Sequence, residues 1–240
     1  MSFTHMEEKL TIIIPCKNEE RYIFSTLESL ARQKIGSTQI FLADASSTDS
    51  TVSRAKVAAF LFGLNLKIIP GGSVAVGRNA GARMSKTPYL LFLDADVTFT
   101  SKMNLEACLQ KMNDNIKLLS TTPVSRTPGD WKASILFFVN RWTTWLLSKK
   151  DPFAVGSFSL VNKQSFWEKG GFDEEVKHTE DWLLSRQFKP SEFLLLPGLI
   201  TQDSRRFHRF GYLKMSLLVV KNWLCRHNRD YFLHEVGYWK

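Results

Sequence analysis

The chain has 240 residues, 44% of them hydrophobic and 23% charged, the ordinary balance of a globular protein with about one α/β domain. Its net charge of +9 points to an anionic partner: a phosphorylated small molecule, nucleic acid or an acidic membrane surface. Three scattered cysteines, Cys16, Cys108 and Cys225, form no CxxC, and no HExxH occurs. This argues against a disulfide framework and a zinc site, and for a reducing compartment.

The start, MSFTHMEEKL, has no apolar core of the kind a signal peptide needs, so a cytoplasmic protein is expected. Residues 10–14 form a β-branched run before Pro15, which reads as a buried strand. Asn18 is placed to cap the next segment, with Glu19 and Glu20 in its first turn and Ile23, Leu27, Leu30 and Ala31 on one helical face. A second strand over residues 40–43 ends at Asp44. A Ser/Thr/Asp cluster then leads into a helix with Val52, Ala55 and Ala59 on one side.

Residues 66–69 make a third strand, stopped by Pro70-Gly71-Gly72. A short helix marked by Val76, Ala80 and Met84 follows, and Tyr89–Leu93 is the fourth strand. Ser101 caps a helix carrying Leu105, Leu109 and Met112, and residues 118–122 read as a fifth strand. Strand and helix alternate regularly this far, which predicts a mostly parallel sheet covered on both faces, with ligands at the carboxyl ends of its strands. Pro15, Asp44 and Asp94 all fall at such ends.

The second half is less regular. Trp131–Leu147 reads as a helix with Ile135, Phe138, Val139, Trp142 and Leu146 on one face, while Leu136, Phe137 and Trp145 make the other side apolar too. Asn140 and Arg141 interrupt it as a bilayer span. Tyr212–Leu224 is too short to span and carries Lys214 and Lys221. Both can lie on a membrane surface, complete the core or form a dimer interface. Residues 158–161 and 192–196 read as strands, and Thr179 as the cap of a helix beginning Glu180-Asp181.

Two carboxylates one residue apart at a strand end, Asp94 and Asp96, suit a divalent cation such as Mg²⁺ or Mn²⁺, which keeps waters and takes further oxygens from substrate phosphates. Asp44, at the end of a neighbouring strand, can accept a hydrogen bond from a nucleobase N–H. Arg78, in VGRNAGARMS, can pair with a diphosphate or a base. DSRRFHRFG sets Arg205, Arg206, His208 and Arg209 within five positions.

Taken in order, TIIIPCKNEE, DASSTDST, GRNAGA…YLLFLDADV, GSFSLVNKQSFWEKGGFDEEVKHTEDWLLSRQ and DSRRF resemble the family 2 glycosyltransferases, inverting enzymes of the GT-A fold that use nucleotide sugars. The resemblance covers roughly residues 10–225. It implies one domain over 1–240, with a nucleotide-binding half at about 10–125, an acceptor half at about 126–225 and a tail at 226–240. It implies that Pro15, Glu19, Asp44 and Arg78 hold the nucleoside, and that Asp94 faces the ribose or a metal-bound water. Asp96 would ligate Mn²⁺ or Mg²⁺ on the diphosphate. Glu180-Asp181 matches the family's Glu-Asp motif, with Asp181 as general base.

DSRRF resembles the family's diphosphate-contacting element, with Phe207 for Trp and Asp203 where Gln or Arg is usual. Whether Arg205 or Arg206 does that work is left open. His208 is a further candidate metal ligand, although a surface or stacking role is the favoured reading, and Cys16 stands where an aromatic is frequent. The partners implied are a UDP- or GDP-linked sugar and a lipid-linked or glycan acceptor, with no nucleic acid. A homodimer and contact with the inner face of a membrane are compatible with this.

Two other readings compete. LLFLDADVT also fits a haloacid-dehalogenase phosphohydrolase, with Asp94 as nucleophile, Asp96 as acid/base and Thr121 or Thr122 in its second motif. That signature opens the first strand of its fold, however, and here three strands precede it. A non-catalytic nucleotide-sugar-binding module would share the binding motifs. A sugar nucleotidyltransferase would need a Gly-rich loop where PCKNEE stands.

Overall fold

The computed structural model describes residues 6–127 and 129–234, apart from the Arg206 side chain. A turn of helix, α1 (Met6–Lys9), runs directly into β1 (Leu10–Cys16). Leu10, Ile12 and Ile14 point into one apolar core and Ile13 into the other, as a strand buried on both faces requires. The strand continues through Pro15. The Cys16 carbonyl accepts from Ala45 N at 2.9 Å, so Cys16 faces β2 (Gln39–Asp44) and Pro15 faces the other side. There, pairing with β4 (Tyr89–Leu93) has already ended at Ile13↔Phe92, so the missing N–H breaks no ladder bond.

α2 (Ile23–Ala31) begins later than the sequence suggests. Asn18 does not cap it; it sits at φ 55°, and its Oδ1 accepts from Thr48 N at 2.8 Å. Asn tolerates this left-handed conformation, which turns the chain away from a helix start. α3 (Thr51–Phe62), β3 (Leu66–Pro70) and α4 (Val74–Met84) follow. In α4 the buried side is not the expected Val76/Ala80/Met84 stripe but Ala75, Arg78, Asn79 and Ala82. Gly77 and Gly81 sit beneath them, against Ala43 and Ile13, because close approach of a helix to the sheet selects small residues rather than long apolar ones.

After β4 come β5 (Val97–Phe99) and α5 (Leu105–Lys111), which is capped by Asn104 through Ala107 N at 2.9 Å and not by Ser101. The strand expected over 118–122 ends early, as β6 (Leu118–Ser120), and β7 (Pro123–Ser125) follows it in a different sheet. α6 (Trp131–Leu147), β8 (Phe158–Asn162), α7 (Lys163–Glu168) and α8 (Glu180–Ser185) come next. Thr179 precedes α8 at φ 60° and makes no side-chain cap; its hydroxyl donates instead to His178 O at 2.7 Å. β9 (Phe193–Leu195), β10 (Ile200–Gln202), α9 (Arg205–Phe210), α10 (Tyr212–Leu224) and α11 (Arg229–Phe232) complete the order.

The seven-stranded sheet runs β3-β2-β1-β4-β8-β6-β9. Only β8 is antiparallel to its neighbours, which places a strand from the second half between two from the first. A small sheet, β5-β10-β7, stands beside it. The chain winds outward from β1 to β3 and returns to place β4 on the other side of β1. The carboxyl ends of β1 and β4 therefore flank a topological switch point, where ligands bind in such sheets. At the far end, Phe232 is fully buried and its carbonyl accepts from Lys177 N at 2.8 Å.

Replacing Gly81 by Ala tests the close contact between α4 and β1. Helix propensity alone favours Ala by about 1 kcal/mol, but the new Cβ would lie 2.6 Å from Ile13 Cγ2, and overpacking typically costs about 1–3 kcal/mol. Gly81→Ala is expected to lower Tm in a thermal melt; an unchanged or higher Tm refutes the packing argument.

Candidate active site

Two ion-paired clusters meet at the carboxyl ends of β1 and β4. The first centres on Arg78, whose side chain is 1% exposed. Its Nη1 donates to Glu180 Oε1 and its Nη2 to Asp94 Oδ1 and to the Gly156 carbonyl, each at 2.8 Å. The Phe172 ring lies 5.2 Å from the guanidinium. Burial works against the charge, but Asp94, Glu180 and Asp181 together hold the Arg78 pKa above its ordinary value.

Arg78 was expected to touch a diphosphate or base directly. Its burial leaves no room for that; it organises the carboxylates that surround it. Burial lifts the Glu180 carboxyl to about 7 against the pull of Arg78, with Asp181 and Asp94 adding to the rise. Burial also raises Asp181, opposed by Arg78 and by two backbone donors. Gly156 N donates to Asp181 Oδ2 at 2.6 Å and Trp182 N to Oδ1 at 2.8 Å. A Cβ on Gly156 would lie 2.7 Å from that Oδ2 and 3.0 Å from Arg78 Nη2, so only glycine fits between them.

The second cluster holds the other aspartate of the pair. Thr26 Oγ1 donates to Ala95 O at 2.7 Å and pins the turn that sends Asp94 to Arg78 and Asp96 to Arg205. Asp96 is 3% exposed. Its Oδ2 accepts from Arg205 Nη2 at 2.9 Å, and the same guanidinium holds Glu19 through both nitrogens at 2.8 and 2.6 Å. The Tyr22 ring lies 4.6 Å from Arg205 Cζ. Arg126 Nη2 donates to Asp96 O at 2.8 Å, and Gln202 Nε2 approaches Oδ1 at 3.4 Å.

A hard divalent cation takes oxygen ligands, and Asp96 fits such an ion. A nearly buried carboxylate needs positive charge beside it, and Arg205 supplies that charge here. Among the described residues no three His, Cys, Asp or Glu side chains gather as a metal group, so Asp96 would share the ion with substrate oxygens and water.

His208 is not brought to this cluster. Its Nε2 lies 2.8 Å from Asp130 Oδ2, in a separate clasp, and its ring meets Tyr212 edge-on at 5.7 Å. Arg206 lies in α9, and its side chain is outside those described. Asp203, out of pattern in the sequence, accepts from Arg205 N at 2.7 Å and shapes the turn that presents Arg205. Phe207 packs edge-on against Phe137 at 5.5 Å and stacks on Tyr212 at 5.8 Å.

Around β1 and β2, Asp44 accepts from Ser47 N at 3.2 Å and Ser47 Oγ at 2.5 Å, with the Cys16 thiol at 3.5 Å. Burial, then Asp44, pushes that thiol well above its ordinary pKa. The loop after Pro15 is stitched to the loop after Asp44: Asn18 N donates to Ser47 Oγ at 2.9 Å and Glu19 N to Thr51 Oγ1 at 2.7 Å. Several polar residues of DASSTDST are thus used within the two loops. Thr121 and Thr122, the phosphohydrolase candidates, are fully buried.

The structure therefore brings Asp94, Arg78, Glu180 and Asp181 together, and Glu19, Asp96 and Arg205. Tyr22, Arg126 and Gln202 were not picked out by the sequence, since none of them lies in a motif or a periodic run, and Gly156 opens a quoted motif without having been singled out.

The family described as "Glycosyl transferase family 2" matches residues 11–170, a stretch that contains Asp44, Arg78, Asp94 and Asp96 but ends before Asp181 and Arg205. A 4,4'-diaponeurosporenoate glycosyltransferase of Staphylococcus aureus is 28% identical over 194 residues, 74% of this chain and 50% of that protein. The chain thus spans about half the length of the curated relatives it matches.

Among solved structures, the mannosyltransferase PcManGT from Pyrobaculum calidifontis, in complex with GDP-Man and Mn²⁺, superposes with a TM-score of 0.64 at 19% identity. The alignment covers 89% of this chain and 64% of that one. S. aureus TarS 1-349 in complex with UDP gives 0.60 at 19% identity, covering 81% and 60%. Glucosyl-3-phosphoglycerate synthase from Mycobacterium tuberculosis, in complex with Mn²⁺, UDP and phosphoglyceric acid, gives 0.57 at 12%, covering 94% and 84%. At these identities the likeness is one of fold.

Arg78→Met leaves buried carboxylates without their cation and is expected to destabilise the protein by about 3–5 kcal/mol at pH 8. Glu180 already sits above its unfolded pKa, and losing Arg78 raises it further. A group raised in this way contributes stability below its unfolded pKa and loses it as pH rises through the folded value. The Arg78→Met deficit should therefore shrink between pH 8 and pH 5 in denaturant melts; a deficit that grows on acidification contradicts this electrostatic account.

Proposed function

The chain belongs to glycosyl transferase family 2, and on that premise we propose that it moves a sugar from a UDP- or GDP-linked donor to an acceptor hydroxyl, inverting the anomeric centre, within one domain spanning 1–240. Its fold is the GT-A fold. The observation that carries the reading is the Arg78 cluster, which joins Asp94 on the donor side to Glu180 and, through Gly156, to Asp181. A base and a nucleotide-side aspartate are thereby fixed to one buried cation.

In this reading Asp181 takes the proton from the acceptor hydroxyl as that oxygen attacks. Its upward shift moves it towards the operating pH, where a general base works best. The departing nucleoside diphosphate gains negative charge, and in this reading Arg205, held beside Asp96, is the cation nearest to stabilise it. The Pro15–Glu19 turn and Asp44 line the nucleoside side. Mn²⁺ or Mg²⁺ held by Asp96 would supply Lewis-acid stabilisation to the diphosphate. The nucleotides and Mn²⁺ in the complexes named above support this donor class.

The phosphohydrolase reading is disfavoured by specific geometry. Asp94 Oδ1 is held by a buried arginine, which suits an orienting carboxylate better than a nucleophile. Thr121 and Thr122 do not reach the surface.

UDP or GDP is expected to raise Tm only with Mn²⁺ or Mg²⁺, and Asp96→Asn to abolish the shift. Asp181→Asn should keep the nucleotide-dependent shift but lower kcat for donor turnover about 10²–10⁴-fold. Full activity in Asp181→Asn removes it as the base, and hydrolysis of a generic phosphate ester that is lost in Asp94→Asn sinks the transferase reading.

A further inference from the structure

Asp130 fastens the starts of two helices. Its Oδ1 accepts from Ala133 N at 2.9 Å and so caps α6, and both its oxygens accept from the hydroxyl of Tyr212, the first residue of α10, at 2.8 Å. Ser204 and His208 complete the clasp at 2.8 Å, and its hydrogen bonds, led by that from Ala133 N, hold the Asp130 carboxyl down at about 2. Beyond the far ends of the same helices, Arg226 Nε approaches Asp151 at 3.7 Å. The two helices, about 25 and 20 Å long at 1.5 Å per residue, are thus tied to one another near both ends.

Neither helix hides its apolar stripe. On α6 the tryptophan-bearing stripe is the exposed one: Trp131, Ile135, Phe138, Trp142 and Leu146 face outward, with Trp142 51% exposed. Ala133, Phe137 and Thr144 make the inner contacts instead. On α10, Leu213, Leu217, Val220 and Leu224 recur at helical spacing and are exposed, Leu213 to 74%, while Met215 is buried. A double stripe of this size is an interaction surface rather than scattered exposure.

Charge selects the occupant. Residues 131–150 and 205–228 contain ten lysines and arginines and no aspartate or glutamate. A second copy of the same face would bring mostly like charges together, since Asp130 and Asp151 at the helix ends are already paired within the chain. A layer of anionic lipid headgroups is complementary to the cations, and its acyl boundary to the apolar stripe. Exposed tryptophans suit that boundary. Lys149 Nζ sits 3.8 Å from the Trp145 ring and Arg226 Cζ 4.3 Å from the Trp223 ring, so basic groups border the aromatic level. No described helix is long and apolar enough to cross a membrane.

We infer that α6 and α10 together form a docking surface for an anionic membrane. The surface adjoins the nucleotide side of the site. Phe207 packs on Phe137 of α6 and on Tyr212 of α10, and two residues earlier Arg205 holds Asp96. On the transferase reading, on which this last step rests, the acceptor hydroxyl belongs to a molecule carried in that lipid layer.

The test is co-sedimentation of the full chain with vesicles of phosphatidylglycerol and phosphatidylcholine, against phosphatidylcholine alone. The parent should bind the anionic vesicles, less so as salt rises. The double variant Trp142→Glu/Leu217→Glu should bind them at least about tenfold less while keeping the parent's nucleotide-dependent Tm shift, which shows that it is folded. Equal binding by parent and variant, or none by the parent, overturns the inference. So does a parent dimer, seen by light scattering, that the same substitutions dissolve while vesicles bind neither protein. Vesicle binding without any nucleotide shift keeps the docking surface and removes only the acceptor step.

Discussion

A buried guanidinium is tolerable only when carboxylates and carbonyls replace the water it has lost, and the candidate site depends on that constraint being met at Arg78. Its partners come from the end of β4, from α8 and from the loop before β8, regions far apart in the chain. Because each is held by the same cation, their relative positions are fixed together. Gly156 completes the arrangement by accepting from Arg78 with its carbonyl and donating to Asp181 with its N–H. Gly77 and Gly81 act one step earlier, letting α4 settle onto β1 and β2 closely enough for Arg78 to reach the sheet end.

The Arg205 cluster has the opposite character. Its guanidinium is partly exposed and shared between Glu19 and Asp96, so its interactions are exchangeable where those of Arg78 are not. A divalent cation on Asp96 would compete with Arg205 for the same oxygen, while Glu19 would still hold the guanidinium in the site. One arginine thus sets geometry and another can follow charge. The difference lies in burial, since a solvated ion pair is worth little and a buried one resists being broken.

Much of this was legible in the sequence, for identifiable reasons. β4, α6 and α10 have the bounds that their apolar runs and flanking breakers predict, and regular alternation correctly put Asp94 and Asp96 at a strand's carboxyl end. Features set by distant contacts were not legible. The antiparallel β8 inserts between β4 and β6, a pairing no local pattern encodes. Arg78 was read as a partner of the nucleotide and not as a buried organiser of carboxylates, because its partner Glu180 lies 102 residues away. Asn18 looked like a helix cap because capping and left-handed turns use the same side-chain chemistry. Tyr22 and Arg126 gave no signal, since stacking and a bond to a backbone carbonyl leave no motif.

The apolar stripe of α6, left open by the sequence between core, partner and membrane, carries a separate lesson. Periodicity establishes that one side of a helix is apolar; it does not say which medium covers that side. In α6 the packing against the protein is made by Ala133, Phe137 and Thr144, a narrow strip that leaves the broader tryptophan-rich stripe outside. The missing information was in the charges. A helix covered by its own domain usually carries mixed charges on its solvent side, whereas residues 131–150 and 205–228 have cations only. Apolar periodicity together with an absence of acids therefore separates a face meant for the core from one meant for an anionic layer, and here both signs lie on the same pair of helices.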